Sequence, residues 1–296
     1  MDLRAYSPAT DYEAVGRMLV DSYRPGPVFD PWLQPRWEYM QFHPLIRGLD
    51  LSRFGVAEEQ GEIVGIVHFE HHPAFGYLQR RPGADHVVDP LLDWAERHLG
   101  GHSHTFGRAV LGLYVPEFDE VLRRSVERRG FVEHPEHGDP NSRLTGIAGL
   151  EPVNPPSGYS LQSLAEGNDL AKVHRVLWRG FGHEGPPPPD GIEERRFMQS
   201  APNFRPDLTL VTVAPDGTYA SFCGMWVVPE NRIAYVEPVA TDPDHRRRGA
   251  GRVAVLEALR RAGASGADVA WVGSDQPFYR SLGFERMFAS TLWLSG

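Results

Sequence analysis

Between residues 237 and 252 the chain reads Glu-Pro-Val-Ala-Thr-Asp-Pro-Asp-His-Arg-Arg-Arg-Gly-Ala-Gly-Arg, a stretch that leaves few choices of local structure. Small and β-branched residues end a strand, a Pro-Asp pair turns the chain, and two glycines punctuate an arginine run ahead of a helical pattern. Gly249 and Gly251 remove Cβ atoms that would hold a ligand off the main chain, and they permit dihedrals closed to other residues. The helix expected from about Gly251 to Ala262 starts with N–H groups that lack intrahelical acceptors, at the positive end of its dipole. Converging amides of this kind hold phosphate. The segment therefore demands a strand, a turn and a helix arranged around an anion.

The spacing fits neither common nucleotide fingerprint. A P-loop needs Lys-Ser or Lys-Thr after its second glycine, and the dinucleotide pattern needs a third glycine where Ala254 stands. A second element follows about thirty residues on, Phe278-Tyr279-Arg280-Ser281-Leu282-Gly283-Phe284. Together, Arg-x-x-Gly-x-Gly after a Val-Ala-Thr strand end and Tyr-x-x-x-Gly-Phe beyond it resemble the coenzyme A site of the GNAT superfamily of N-acetyltransferases.

At 296 residues the chain suggests two domains, and 41% hydrophobic content gives each enough apolar side chain for a core. The seam expected from composition is Glu151 to Gly158, which is rich in proline, so the domains read as 1–150, a linker at 151–158, and 159–296. In the second, Leu170, Val173, Leu177 and Phe181 fall at helical spacing, and strand patterns lie on either side of Ala214-Pro215-Asp216-Gly217. The first repeats that order in worn form, with a hairpin through Glu59-Gln60-Gly61 and a helix ending in Gly130-Phe131 that resembles the one ending in Gly283-Phe284. The fold class expected is α/β (α+β): two tandem GNAT-like domains, each a mixed, mostly antiparallel sheet flanked by helices. Where the first domain should carry its clamp it has Gln79-Arg80-Arg81-Pro82-Gly83-Ala84-Asp85. Proline has no N–H to give and Asp85 stands at the second glycine's place, so this copy is expected to be degenerate and not catalytic.

The resemblance implies acetyl-CoA as co-substrate. Its pantetheine arm would pair with the main chain of Val239, Ala240 and Thr241, and the clamp Arg246, Arg247, Arg248, Gly249, Ala250, Gly251 and Arg252 would hold the diphosphate. Tyr279 matches the family's general acid, since a phenol stays protonated at neutral pH and can donate to a departing thiolate; packing beside Phe278 is the plainer reading. Glu237 is the candidate base, with recognition of a cationic amine or a purely structural pairing as alternatives. Strand alternation would put Tyr235, Glu237 and Val239 on one face. The family's Asn ahead of the tyrosine helix is replaced by Val272, with Ser274 or Asp275 as substitutes, and the proline run 186–189 is either an acceptor-pocket wall or a connector.

A formal charge of −9 disfavours nucleic acid and suits a cationic small molecule. No apolar run approaches a membrane span and no secretory signal opens the chain, which leads to the expectation of a cytoplasmic protein, monomer or homodimer. The single cysteine, Cys223, reads as a buried structural thiol, and the histidines show no metal spacing; His174 and His183 read as solvent-exposed. The function expected is N-acetylation of a small-molecule amine. An acyl-CoA sensor without turnover, or acetylation of a protein or peptide, are the alternatives.

Overall fold

Helices form where the apolar period and a capping side chain coincide. The Asp169 carboxylate accepts from the N–H groups of Ala171 (3.0 Å) and Lys172 (3.1 Å), and Val173, Val176 and Leu177 of the helix it starts are buried. A computed structural model describes residues 1–24 and 32–296. In chain order the first elements are β1 (Asp2–Ala5), α1 (Pro8–Ser22), α2 (Gln34–Gln41), β2 (Gly55–Glu59), β3 (Glu62–Phe69), β4 (Phe75–Arg80), α3 (Val88–His98), β5 (Gly101–Ser103), β6 (Arg108–Val110), β7 (Gly112–Pro116) and α4 (Glu120–Arg128). There follow β8 (Val132–Thr145), β9 (Ser160–Ser163), α5 (Leu170–Gly180), α6 (Gly191–Met198), β10 (Leu210–Val213), β11 (Tyr219–Val228), β12 (Ile233–Thr241), α7 (Ala250–Ala264), β13 (Val269–Val272), α8 (Pro277–Ser281) and β14 (Glu285–Leu294).

The chain divides into two compact units. One contains Met1–Met40, Leu45–Asn141 and Arg286–Gly296; the other contains Gln41–Pro44 and Ser142–Glu285. The division falls inside β8 and at the start of β14, and the proline-rich stretch 151–158 lies within the second unit instead of separating two domains. Pro156 packs there: a Cβ added at Gly249 would lie 3.5 Å from its ring. The last strand of the chain completes the first unit, pairing antiparallel with β7 from Ser290↔Pro116 to Leu294↔Gly112.

Both units are mixed, mostly antiparallel sheets with helices packed on them, as the sequence led one to expect. In the first, the strand order is β1-β2-β3-β4-β7-β14-β8, with β4 and β7 parallel. In the second, the end of β8 is followed by β13-β12-β11-β10-β9, with β12 and β13 parallel. The core of the second unit joins Cys223, Met225, Ala234 and Val236 of the sheet to Ala254, Ala258 and Leu259 of α7 and to Tyr279 and Phe284. Among the described residues no helix is long and apolar enough to cross a membrane.

Candidate active site

The centre of the second unit is a break in an otherwise regular ladder. β11 and β12 pair Met225 with Val236 but Cys223 with Val239, so three steps along β12 are set against two along β11. Glu237 and Pro238, joined by a cis peptide bond, form the bulge. Gly224 lies opposite because a side chain there would run into the Glu237 carbonyl oxygen and come within 2.8 Å of the Pro238 ring. Trp226, two residues along β11, holds the same carbonyl, its indole N–H donating to the Glu237 oxygen at 2.8 Å. The shift changes side-chain parity: Val236 and Val239 both meet the α7 core, while Tyr235 lies on the opposite face. Simple alternation, which would group Tyr235 with Val239, fails for this reason.

Beyond the bulge β12 parts from β13. Their parallel ladder runs only from Ile233↔Val269 to Tyr235↔Trp271, so the edge of β12 from Val236 to Thr241 has no partner in β13. On its other edge, β11 continues to pair through Phe222↔Ala240 and Ser221↔Thr241. In an antiparallel pair alternate residues turn both main-chain groups toward the partner strand or away from it. The Asp242 N–H donates to the Ala220 carbonyl on β11, so Ala240 also faces β11 and, of the three residues expected here, Val239 and Thr241 present main-chain groups to this gap.

A single 3-10 turn, Pro243–His245, leads from β12 into the arginine run. Arg247 (φ 59°) and Gly249 (φ 87°) are both left-handed, a conformation that in short turns lets neighbouring N–H groups face a common anion. The first amides of α7 follow, and no side chain caps them. Gly251 is required by a close approach: an added Cβ would sit 2.5 Å from Thr241 Oγ1, so here the missing side chain makes room for the protein's own strand end. The arginines divide their work. Arg246 reaches back to the carbonyls of Gly180 (2.9 Å) and Thr241 (3.3 Å), and Arg252 donates to the Ser281 carbonyl at 3.1 Å. Arg247 and Arg248 are exposed and, among the described residues, make no ion pair.

Tyr279 sits in α8, 9% exposed, its ring edge-on to Phe278 (5.1 Å) and Phe284 (5.8 Å). Burial, then the negative charge of Glu237, then Cys223 push its hydroxyl well above the ordinary phenol range. The half-buried Glu237 is therefore near enough for its charge to act on Tyr279.

These features coincide with a family match. Residues 170–284 fit the acetyltransferase (GNAT) family. That stretch is a GNAT acetyltransferase domain. The fold of the whole chain is similar to a GCN5-related N-acetyltransferase from Sphaerobacter thermophilus, at 17% identity over 99% of this chain and 94% of the other, with a TM-score of 0.62. It is also similar to a tandem GNAT protein from the clavulanic acid biosynthesis pathway, at 15% identity over 99% and 97%, with a TM-score of 0.65. A GNAT-family acetyltransferase from Colwellia psychrerythraea gives 11% identity over 100% of both chains and a TM-score of 0.59. Comparison with curated proteins gave no match. At such identities the likeness is one of fold.

Other residues of the GNAT domain fall into place around this site. Val272, where the family's Asn is replaced, is buried in the core, and Ser274 Oγ accepts from the Gln276 N–H at 3.3 Å. Cys223 is fully buried, and burial followed by the Glu237 charge pushes its thiol up, as a structural role requires. His174, expected at the surface, is 4% exposed: Gly191 has no side chain, so the start of α6 closes over the imidazole, whose Nε2 meets the Pro188 carbonyl at 3.0 Å. His183 is exposed and stacks on Trp178 at 4.4 Å, while His245 Nδ1 meets the Tyr159 hydroxyl at 2.9 Å. With Trp178 donating to the Gly185 carbonyl at 3.1 Å, the proline loop is pinned to α5 at two carbonyls. An open cleft of about 600 Å³ lies against it, lined by Arg175, Arg179, His183, Pro186, Pro187 and Pro243.

Sequence reasoning passed over Gly224, Arg175, Arg179 and Asp242. The last is fully buried on its side chain and receives both guanidinium groups. Its signal was present in Asp242-Pro243-Asp244, an Asp-Pro turn opening in which the first carboxylate caps the Asp244 N–H at 3.0 Å.

The first unit repeats part of this frame with different residues at the corresponding positions. Gly130 and Phe131 donate to the carbonyls of Glu127 and Val126, as Gly283 and Phe284 donate to those of Arg280 and Tyr279. Val126, fully buried, thus stands where the GNAT domain has Tyr279. In the loop after β4, Ala84 N–H donates to the Arg81 carbonyl and Val87 N–H to that of Ala84. The adjoining cavity, about 240 Å³, is walled by Leu19, Trp32, Leu78 and Phe118. Arg80 crosses its lining to Asp119 (2.6 and 3.0 Å) and Asp85 (2.9 Å).

Proposed function

We propose that the second unit transfers acetyl from acetyl-CoA directly to the nitrogen of a small-molecule amine, and that the first unit does not catalyse. The observation that carries this reading is the convergence of three features on one locus: an open strand edge at Val239–Thr241, an uncapped amide turn at Arg247–Arg252, and Tyr279 beside Glu237. The turn suits a diphosphate because its inward N–H groups come from left-handed residues and a helix start, with no acidic side chain filling the cradle. Acetyl-CoA supplies the activated acyl group; the remaining work belongs to the chain. Main-chain groups of Val239 and Thr241 extend the sheet onto the pantetheine arm, and an outward strand N–H polarises the thioester carbonyl as charge develops there.

Glu237 and Tyr279 act as a coupled pair. Glu237 takes the proton that the attacking amine must lose. While it is charged it raises the Tyr279 hydroxyl's affinity for its proton; once Glu237 is protonated that influence lapses, and the phenol becomes a stronger donor as the thiolate departs. A charged half-buried carboxylate at the bulge also attracts a cationic amine to the site. In the first unit Val126 has no proton to donate, the Ala84 and Val87 amides are spent on loop carbonyls, and Arg80 is engaged by Asp85 and Asp119, which supports a degenerate role there.

Thiol release from acetyl-CoA measured against a panel of amines, polyamines, amino sugars and amino acid derivatives tests the proposal. Amine-dependent release, lost in Tyr279→Phe, is the expected result. Thermal stabilisation by acetyl-CoA without release for any amine or peptide would instead assign a sensor.

A further inference from the structure

The strand end that delivers the chain into the amide turn is held by an unusually well-bonded carboxylate. Asp242 follows the last residue of β12, and its side chain is fully buried. It accepts from Arg175 (Nη1 to Oδ2, 2.8 Å), from Arg179 (Nε to Oδ2, 2.8 Å; Nη2 to Oδ1, 3.1 Å) and from the Asp244 N–H (3.0 Å). Its own N–H donates to the Ala220 carbonyl and its carbonyl accepts from the His245 N–H. Arg179 also pairs with Asp244 at 2.7 Å, and Arg246 returns to the carbonyls of Gly180 and Thr241. Three arginines and two aspartates thus fasten the end of α5 to the junction between β12 and the turn.

Burial alone would raise the Asp242 pKa; the Arg179 hydrogen bonds, the Asp244 N–H and the charges of Arg175 and Arg179 hold it below the usual carboxylate range, so the group is ionised. The cluster sets three guanidinium groups against two carboxylates, and two of the three are spent on those carboxylates, so its pull on a distant anion is small. Its effect is on position. An amide cradle binds well only if its N–H groups already converge before the ligand arrives, and Arg247 must be kept left-handed, a conformation unfavourable for a residue with a Cβ. A fixed turn entrance five residues upstream supplies that constraint.

We propose that Asp242 is a positioning residue for the diphosphate cradle: by gripping Arg175 and Arg179 it holds the start of the turn, and so sets the directions of the Arg247–Arg252 amides. This rests on the reading of that turn as the coenzyme A site. The consequence is specific to the ligand, because a thioester lacking the diphosphate does not use the cradle.

The test compares kcat/KM for acetyl-CoA and for S-acetylpantetheine, which carries the same arm without the nucleotide, in full-length wild type and Asp242→Asn. The expected result is a drop of about tenfold with acetyl-CoA, residing in KM, and less than twofold with S-acetylpantetheine. Equal losses with both thioesters would mark general structural damage and overturn the inference; no loss with acetyl-CoA would overturn it as well. Wild type that turns over neither thioester sinks the functional reading itself, and with it the inference. If Asp242→Asn gives no soluble protein, Arg175→Gln, on a side chain 35% exposed, goes through the same comparison with the same expected split.

Discussion

Replacing Tyr279 with Phe removes one oxygen and little else. The ring is 9% exposed and packed edge-on against Phe278 and Phe284, contacts that phenylalanine keeps, so unfolding free energy should change by less than about 1 kcal/mol. If the hydroxyl donates to the leaving thiolate, its loss takes away a positioned proton donor, worth at least about 100-fold in rate, or about 2.7 kcal/mol of barrier. The cradle consists of main-chain groups around residue 250, so affinity for coenzyme A should stay within about twofold. Initial rates of thiol release at saturating amine and acetyl-CoA give kcat, and calorimetric titration with coenzyme A gives the affinity. Coupling to Glu237 adds a second readout: Tyr279→Phe and Glu237→Gln combined should lose much less than the product of the single effects. A fall in kcat below about threefold, or a parallel loss of coenzyme A affinity, would refute the acid role.

Other consequences follow from burial. Gly224→Ala forces a methyl group against the Glu237 carbonyl and the Pro238 ring, so urea denaturation should show a loss of about 2–3 kcal/mol together with reduced kcat/KM. His68 is fully buried, and burial lowers its pKa from 6.5 to about 4. The folded form holds this ring neutral while the unfolded chain protonates below pH 6.5, so its contribution is complete above pH 6.5 and is lost as pH falls toward 4, by about 3 kcal/mol in all. Thermal unfolding at pH 7.0 and 4.5 should therefore show a smaller acid loss in His68→Phe than in wild type. Cys223, buried and with its thiol pushed up, should resist aromatic disulfide reagents in the native protein and titrate as one thiol per chain after denaturation.

What could be read from the sequence was local. The helix begun by Asp169, the hairpin turns, the Gly249 turn into α7 and the paired Gly-Phe helix ends each announce themselves through a cap, a glycine or a period within a dozen residues. Features made by distant parts of the chain were not legible. The bulge arises from the pairing of β11 with β12, and it overrides the alternation that would group Tyr235 with Val239. Asp242 takes its partners from 63 and 67 residues away. The proline-rich stretch 151–158 looks like a linker by composition, yet it packs on the Gly249 turn, while the division between units falls inside β8, just after Gly138-Asp139-Pro140-Asn141, whose turn-like composition the strand pairing overrides. Buried His174 depends on an absent side chain at Gly191, which no periodicity reveals.

The most direct test of the account is the stoichiometry of coenzyme A binding to the full chain by isothermal titration. One molecule per chain is expected, with affinity lost when the diphosphate is absent from the ligand. Zero would contradict the amide cradle near residue 250, and two would contradict the degenerate state assigned to the first unit.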